Sequence, residues 1–302
     1  MKIVRDPKRL NPCVLVLGMF DGVHLGHRFL IKQIQDMAAK HEAESLIVTM
    51  YPHPRAIVQP GFQPQLLTTL DEKLNLLQKT GIHKVEVLQF DKEMSRMSAR
   101  DFMEQVLHEK LGIDRLVMGY DHRFGHGGGT MEQYREWGKE LGIEVLQMEA
   151  FSDEYVSSSA IRKLLLQGNV EKAAKLLGRP YVLSGKVVDG YKVGRTIGFP
   201  TANLQPEPEK LIPAPGVYAV WAVLPDGDRY KGMLNIGNRP TLANGDGISI
   251  EVHLLDFKGD LYNQPLKLVF GSRIRDEHRF GSLEELQTQL RQDALSAKLL
   301  LG

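Results

Sequence analysis

Between residues 13 and 148 short apolar runs alternate with stretches of helical period, and beyond residue 180 that alternation stops. No other feature restricts the fold of this chain as much. The apolar runs at 13–17, 45–50, 84–90, 115–118 and 144–148 have the length of strands. Between them, 29–40, 71–80, 99–110 and 131–141 repeat apolar residues at helical spacing, with Ser98 in a capping position before the third. Such alternation builds a mainly parallel sheet with helices on its faces. Two further helical segments, 157–166 and 170–177, follow, and Gly178-Arg179-Pro180 ends the second.

The later texture is β. Residues 181–188, 216–224, 230–236 and 248–255 read as strands between Gly, Asp and Pro turns, and 283–300 is the one long helical pattern. A closed or partly closed antiparallel barrel with a terminal helix fits this order. We therefore expect an α/β domain over 1–180 and a β-barrel domain over 181–302. A chain of 302 residues, 42% apolar, supplies two ordinary cores.

Composition excludes several classes of partner. Thirty-eight basic and 37 acidic residues leave a net charge of +1, which argues against nucleic acid and membrane surfaces. No apolar run approaches a membrane span, and no signal-like segment follows the basic N-terminus. The one cysteine, Cys13, cannot form an intrachain disulfide and suits a reducing compartment. A cytoplasmic protein with small-molecule partners is the expectation.

Where the first strand hands over to the first helix stands Gly18-Met-Phe20-Asp21-Gly-Val-His24-Leu-Gly26-His27. A helix N-terminus attracts phosphate, and glycines let phosphate approach the backbone. His24 and His27 are three apart and share a helix face. They suit a phosphate chain whose charge shifts toward a leaving group. Asp21 is placed either to orient a histidine or to cap the helix. The spacing matches neither G-x-G-x-x-G nor a P-loop. Two other strand or helix ends bear on the same pocket. Gly119 to Gly125 offers Asp121 as an acceptor and Arg123 to phosphate, and Ser157 to Arg162 offers Ser159 and Arg162 at a helix start. Tyr51-Pro-His53-Pro54 follows a third strand end. A surface turn, a serine cap and a structural turn are the plain alternatives. Strand ends converge on one crevice in an open α/β sheet.

A second glycine-rich stretch runs from Gly185 through Gly190, Gly194, Arg195, Gly198 and Pro200 to Thr201 and Asn203. Closely spaced glycines allow backbone amides to surround phosphate. Thr201 and Asn203 are two apart, so an extended backbone points both the same way, and their oxygens suit Mg²⁺ with ATP phosphates. In Ile248 to Leu254 the even positions are apolar, which makes Glu251 a solvated residue by periodicity alone. Placed opposite Thr201 and Asn203, it becomes a base for a primary alcohol attacking the γ-phosphate. Asn235 ends another strand and offers a polar edge to a ligand. Arg275 either meets phosphate or belongs to a solvent-facing charge cluster.

Taken together and in this order, Gly18 to His27, Gly119 to Gly125, Ser157 to Arg162, Gly194 to Asn203, Asn235 to Thr241 and Glu251 to Phe257 resemble the bifunctional bacterial riboflavin kinase/FAD synthetase family. The resemblance spans nearly the whole chain. It implies a nucleotidyltransferase-like α/β domain, then a riboflavin kinase-like barrel. It also implies two reactions: riboflavin plus ATP to FMN, and FMN plus ATP to FAD and diphosphate. By that likeness His24, His27, Ser159 and Arg162 handle ATP for adenylyl transfer, with Gly18, Phe20, Asp21 and Gly26 in the same motif. Asp121 lies on the nucleotide or flavin side. Thr201 and Asn203 engage Mg-ATP, and Glu251 is the kinase base. Two departures stand out: His122 where the family commonly has Phe, and Ser159 where it commonly has Thr. The competing readings are a chain with one active half and a regulatory module that binds flavin or nucleotide without turnover.

Overall fold

A computed structural model describes residues 1–4, 13–119, 123–148, 156–190, 193–238 and 247–302. The chain divides into two compact units, Met1–Ser158 and Ser159–Gly302.

The first unit runs β1 (Lys2–Val4), β2 (Cys13–Leu17), α1 (Leu25–Lys40), β3 (Glu44–Tyr51), α2 (Pro54–Val58), α3 (Leu70–Gln78), β4 (Lys84–Gln89), α4 (Ala99–Asp101), β5 (Arg115–Met118), α5 (Met131–Leu141) and β6 (Glu144–Gln147). Past Asp101, α4 continues as a π-helical stretch, Phe102–Lys110. Helix starts follow local chemistry. Thr69 and Glu72, Ser98 and Asp101, and Thr130 and Gln133 each form a reciprocal capping box. All six strands are parallel, in the order β1-β4-β3-β2-β5-β6. The edge strand β1 falls outside the sequence expectation, since three residues carry no readable period.

Every residue of β2 is buried, because helices cover both faces of the sheet. Val14 and Val16 pack with Ile31 and Ile34 of α1 and Leu77 of α3. Leu15 and Leu17 pack with Phe102, Leu107 and Tyr134 on the other side. Each such side chain contributes about 1.5–3 kcal/mol when fully buried. The chain leaves β2 toward β3 and leaves β5 toward β6, in opposite directions. The carboxyl ends of the neighbouring strands β2 and β5 therefore flank a topological switch point.

The second unit opens with α6 (Ser158–Leu166) and α7 (Val170–Leu177), which Gly178 ends in a left-handed turn. Then come β7 (Val182–Val188), α8 (Val193–Thr196), β8 (Ala202–Pro206), β9 (Gly216–Val223), β10 (Arg229–Asn238), β11 (Ile248–Leu254), β12 (Pro265–Arg275) and α9 (Leu283–Leu300). Strands β7 to β12 close an antiparallel barrel in the order β10-β11-β8-β7-β12-β9. Two of its strands lie outside the sequence expectation. Residues 202–206 are few and half polar, and β12 is broken by register shifts between Phe270 and Arg275, which blur its period.

Helix α9 packs its Ala297, Leu290 and Ala294 on Ala219 and Met233, so these mark the outer wall. Strand alternation then sends Tyr218, Leu234 and Val252, opposed in register and fully buried, into the lumen. The interior is filled, as expected for a barrel this small. The cavity between the wall and α9 lies outside this filled interior.

Candidate active sites

The turn after β2 is wound tightly. Phe20 has φ 50°, Gly22 81° and Val23 39°, and a positive φ on a β-branched residue costs about 1–3 kcal/mol. Strain is paid back by the fixed geometry around it. The Asp21 carboxylate accepts from the Leu67 amide (3.1 Å), the Thr68 amide (3.1 Å) and the Thr68 hydroxyl (3.3 Å). Gly22 N–H donates to the same hydroxyl at 3.0 Å, and the Ser158 hydroxyl donates to the Asp21 carbonyl at 2.8 Å. Asp21 is thus the clasp of the turn, and the N-cap of α1 is His24.

His24 Nδ1 accepts from the His27 amide at 3.3 Å, and the two imidazoles stack with centroids 3.6 Å apart. The shared face expected from their spacing is present. A Cβ on Gly26 would meet the His24 ring at 3.3 Å, so glycine there lets the ring lie along the helix start. Phe20 is buried and supports His27 at 5.0 Å, while a Cβ on Gly18 would touch the Phe20 ring. His27 Nδ1 is buried without a hydrogen-bond partner among the described residues. Burial first, then His24, then Lys73 hold the His27 imidazole well below the ordinary histidine range. A neutral ring remains a hydrogen-bond donor at physiological pH.

Lys73 escaped the sequence reading. It is 6% exposed, and its ammonium donates to the Met19 carbonyl (3.1 Å) and the Thr49 hydroxyl (2.9 Å). The signal was available: Leu70, Lys73, Leu74 and Leu77 have the spacing of one apolar helix stripe, with lysine in one slot. His53 caps α2, accepting from the Arg55 amide, and lines a small cavity with Asp21 and Lys73.

Beside the turn lies an apolar cavity of about 380 Å³, bounded by Gly18, Met50, Phe90, Phe102, Arg123 and Phe124. It opens at the carboxyl ends of β2 and β3, and Arg123 is its exposed cationic edge. Asp121 and His122 lie outside the described residues. Ser159 and Arg162 sit in the first turns of α6, assigned to the second unit.

In the barrel, register assembles the second site. Asn203 of β8 opposes Glu251 of β11, Glu251 opposes Asn235 of β10, Asn235 opposes Val217 of β9, and Val217 opposes Arg275 of β12. Directly opposed residues project from the same face. One transverse row on the outer wall therefore carries Asn203, Glu251, Asn235 and Arg275. Thr201, two residues before Asn203, donates its hydroxyl to Glu251 at 3.2 Å. Periodicity was right that Glu251 points away from the barrel core. That outer face is roofed by α9, which no single-strand pattern reveals.

The cavity under the roof has a volume of about 300 Å³ and is bounded by Gly194, Thr201, Asn235, Glu251, Arg275 and Phe280, among others. That is the lower end of the range for small-molecule sites. Asn203 is 7% exposed and packs so closely on Gly190 that a Cβ there would fall 2.1 Å from its amide nitrogen. The loop before Thr201 is closed by Phe199 N–H on the Gly194 carbonyl (2.8 Å) and turned by Gly198 at φ 84°. His253 Nδ1 lies 2.7 Å from the Pro200 carbonyl. The Arg195 side chain lies outside the described residues.

Arg275 is held by an aspartate that sequence reading did not single out. Its guanidinium grips Asp293 of α9 through Nε (3.0 and 3.1 Å) and Nη2 (2.8 Å), and Nη1 donates to the Asp276 carbonyl at 3.0 Å. Asp293 is 1% exposed and sits on the same helix stripe as Leu286, Leu290 and Ala297. The contact ties α9 to the row on the wall.

A parallel sheet with a histidine turn at its switch point, followed by a barrel with a carboxylate-bearing row beneath a helix, defines a two-part transferase of nucleotide phosphates. Two family models divide the chain accordingly: FAD synthetase matches residues 6–160 and riboflavin kinase residues 177–301. The chain belongs to the bifunctional riboflavin kinase/FMN adenylyltransferase family. The curated relative so named from Escherichia coli (strain K12) is 38% identical, covering 100% of this chain and 98% of its own. One from Bacillus subtilis (strain 168) is 36% identical over 94% and 91%. In structure, the chain is similar to a crystal structure described as a macrolide-efflux protein from Streptococcus pneumoniae. The TM-score is 0.88, with 28% identity and 98% of both chains covered. Among the described residues no helix is long and apolar enough to cross a membrane.

Proposed function

We propose that this chain makes FAD from riboflavin in two ATP-dependent steps, the first on residues 181–302 and the second on residues 1–180. In the first, the 5′-hydroxyl oxygen of riboflavin attacks the γ-phosphorus of ATP. The bond from that phosphorus to the β,γ-bridging oxygen breaks, ADP leaves, and the hydroxyl proton passes to the Glu251 carboxylate. The observation that carries this reading is the register row that sets Glu251 between Asn203 and Asn235, with Thr201 hydrogen-bonded to it. Thr201 and Asn203 supply hard, neutral oxygens of the kind Mg²⁺ accepts alongside phosphate, and no acidic or histidine cluster able to hold a metal occurs among the described residues. Mg²⁺ held there would offset phosphate charge. Asn235 and the apolar wall at Val217 and Met233 suit a flavin ring with a polar edge.

In the second step a phosphate oxygen of FMN attacks the α-phosphorus of ATP, the bond from that phosphorus to the α,β-bridging oxygen breaks, and diphosphate leaves. His24 and His27, stacked at the start of α1, donate to the polyphosphate, and the orphaned Nδ1 of His27 marks a place where bonding is incomplete without substrate. The cavity of about 380 Å³ lined by Phe90, Phe102 and Phe124 suits the flavin ring, with Arg123 at its edge. The single buried cysteine supports a cytoplasmic setting.

A time course with riboflavin, ATP and Mg²⁺ tests the proposal: FMN is expected first and FAD after it. Glu251→Gln should lower FMN formation by about 10²–10⁴-fold, the usual weight of a general base, and spare FAD formation from supplied FMN. His27→Ala should show the reverse. Kinase turnover unchanged in Glu251→Gln removes its assignment.

A further inference from the structure

We propose that Lys73 is a positioning residue for adenylyl transfer, its buried ammonium, anchored on the Met19 carbonyl and Thr49 beside the strand-end turn, holding the stacked His24 and His27 in one orientation. The proposal rests on the adenylyl-transfer reading of the first unit. Three observations support it. The ammonium donates to the carbonyl of Met19, the residue immediately before the strained Phe20–Val23 turn. Its second acceptor, Thr49, lies two residues before the end of β3 and itself donates to the Met19 carbonyl at 3.2 Å. Lys73 also lines the small cavity shared by Asp21 and His53.

A lysine is not needed to fill this space. Methionine has a similar length, and Thr49 already satisfies the Met19 carbonyl when the ammonium is gone. What only a cation adds is its field. The groups it acts among are the two stacked imidazoles of α1, the Asp21 carboxylate already engaged by Leu67 and Thr68, and His53 of α2. Polyphosphate arriving at His24 and His27 draws protons onto both rings, and two imidazolium ions 3.6 Å apart repel one another. A fixed positive charge on α3 opposes that protonation, alongside burial, so the histidines stay neutral donors in one orientation.

The test uses the full chain with Lys73→Met, Lys73→Gln and Lys73→Arg. Histidine titration is followed by NMR without substrate, with His27 assigned by its own replacement. FAD formation from FMN is measured across pH, and riboflavin phosphorylation in the same samples reports on the other unit. Loss of the charge in Lys73→Met and Lys73→Gln should raise the His27 midpoint, move the acid limb of FAD formation to higher pH and lower kcat by about tenfold or more, with KM for FMN little changed. Lys73→Arg should restore all three. A His27 midpoint that stays in place in either folded neutral variant overturns the proposal, as does a loss of kcat equal at all pH values that arginine does not rescue. Wild-type chain that forms no FAD refutes the adenylyl-transfer reading instead, and the titration comparison then still decides whether Lys73 governs His27.

Discussion

Replacing Asp21 by alanine tests whether that carboxylate is the clasp of the first site. Two backbone amides, those of Leu67 and Thr68, lose their acceptor, and both residues are at least 95% buried. A buried donor left unmet costs about 1–3 kcal/mol, so the pair predicts a loss of about 2–6 kcal/mol. For a unit of this size, about 3 kcal/mol corresponds to a fall in melting temperature of about 6–12 °C. The loosened loop leads straight into Thr69, which caps α3 and so fixes the helix that carries Lys73. FAD formation should therefore fall with the stability of the first unit, and riboflavin phosphorylation should persist. Asp21→Asn keeps one acceptor and should fall between the two. The assay is urea unfolding followed by far-UV dichroism, with both product assays on the same samples. A stability change below about 0.5 kcal/mol in Asp21→Ala, the range of an ordinary surface substitution, would refute the reasoning.

Three further outcomes are expected. Gly190→Ala forces its Cβ onto the buried Asn203 amide, so KM for Mg-ATP in the kinase reaction should rise by about tenfold or more, the effect of an overpacking strain of about 1–3 kcal/mol, while FAD formation is spared. Asp293→Ala releases the Arg275 guanidinium from α9 and should cost the barrel unit about 2 kcal/mol, read by thermal unfolding, together with kinase turnover. Because the native His27 imidazole is held below its unfolded value, the unfolded chain binds more protons between the two. The stability it contributes is whole above about pH 6.5 and declines as pH falls below that value, so His27→Gln should flatten the acid-side loss seen in urea unfolding.

What the sequence disclosed depended on whether a signal was local. Strand β2, helices α1 and α5 and the cap at Ser98 come from period and capping chemistry within a few residues; β2 and α5 have the expected bounds, and α1 starts a turn earlier than expected, at Leu25. The histidine pair was readable for the same reason. Glu251 was legible only as a residue facing away from the barrel core. Its neighbours Asn203 and Asn235 come from β8 and β10, and the pairing of one strand with another leaves no trace in either alone. Lys73 and Asp293 are the opposite case. Each interrupts an apolar helix stripe with a charge, and both prove buried and bonded. A charged residue in an apolar slot was the overlooked local sign. Strand β12 was hidden by its own irregularity, since two register shifts break the alternation by which a strand is recognised.

The barrel divides its labour residue by residue. Along β11, Glu251 belongs to the cleft and Val252 beside it to the packed lumen; Asn235 and Leu234 repeat the split on β10. Inserting or deleting a single residue in β11 would exchange the two assignments, sending the Glu251 carboxylate into the hydrocarbon interior and a valine into the cleft. Changes of length are therefore expected to be tolerated in the connections and not within these strands, whose spacing decides which groups reach the cleft.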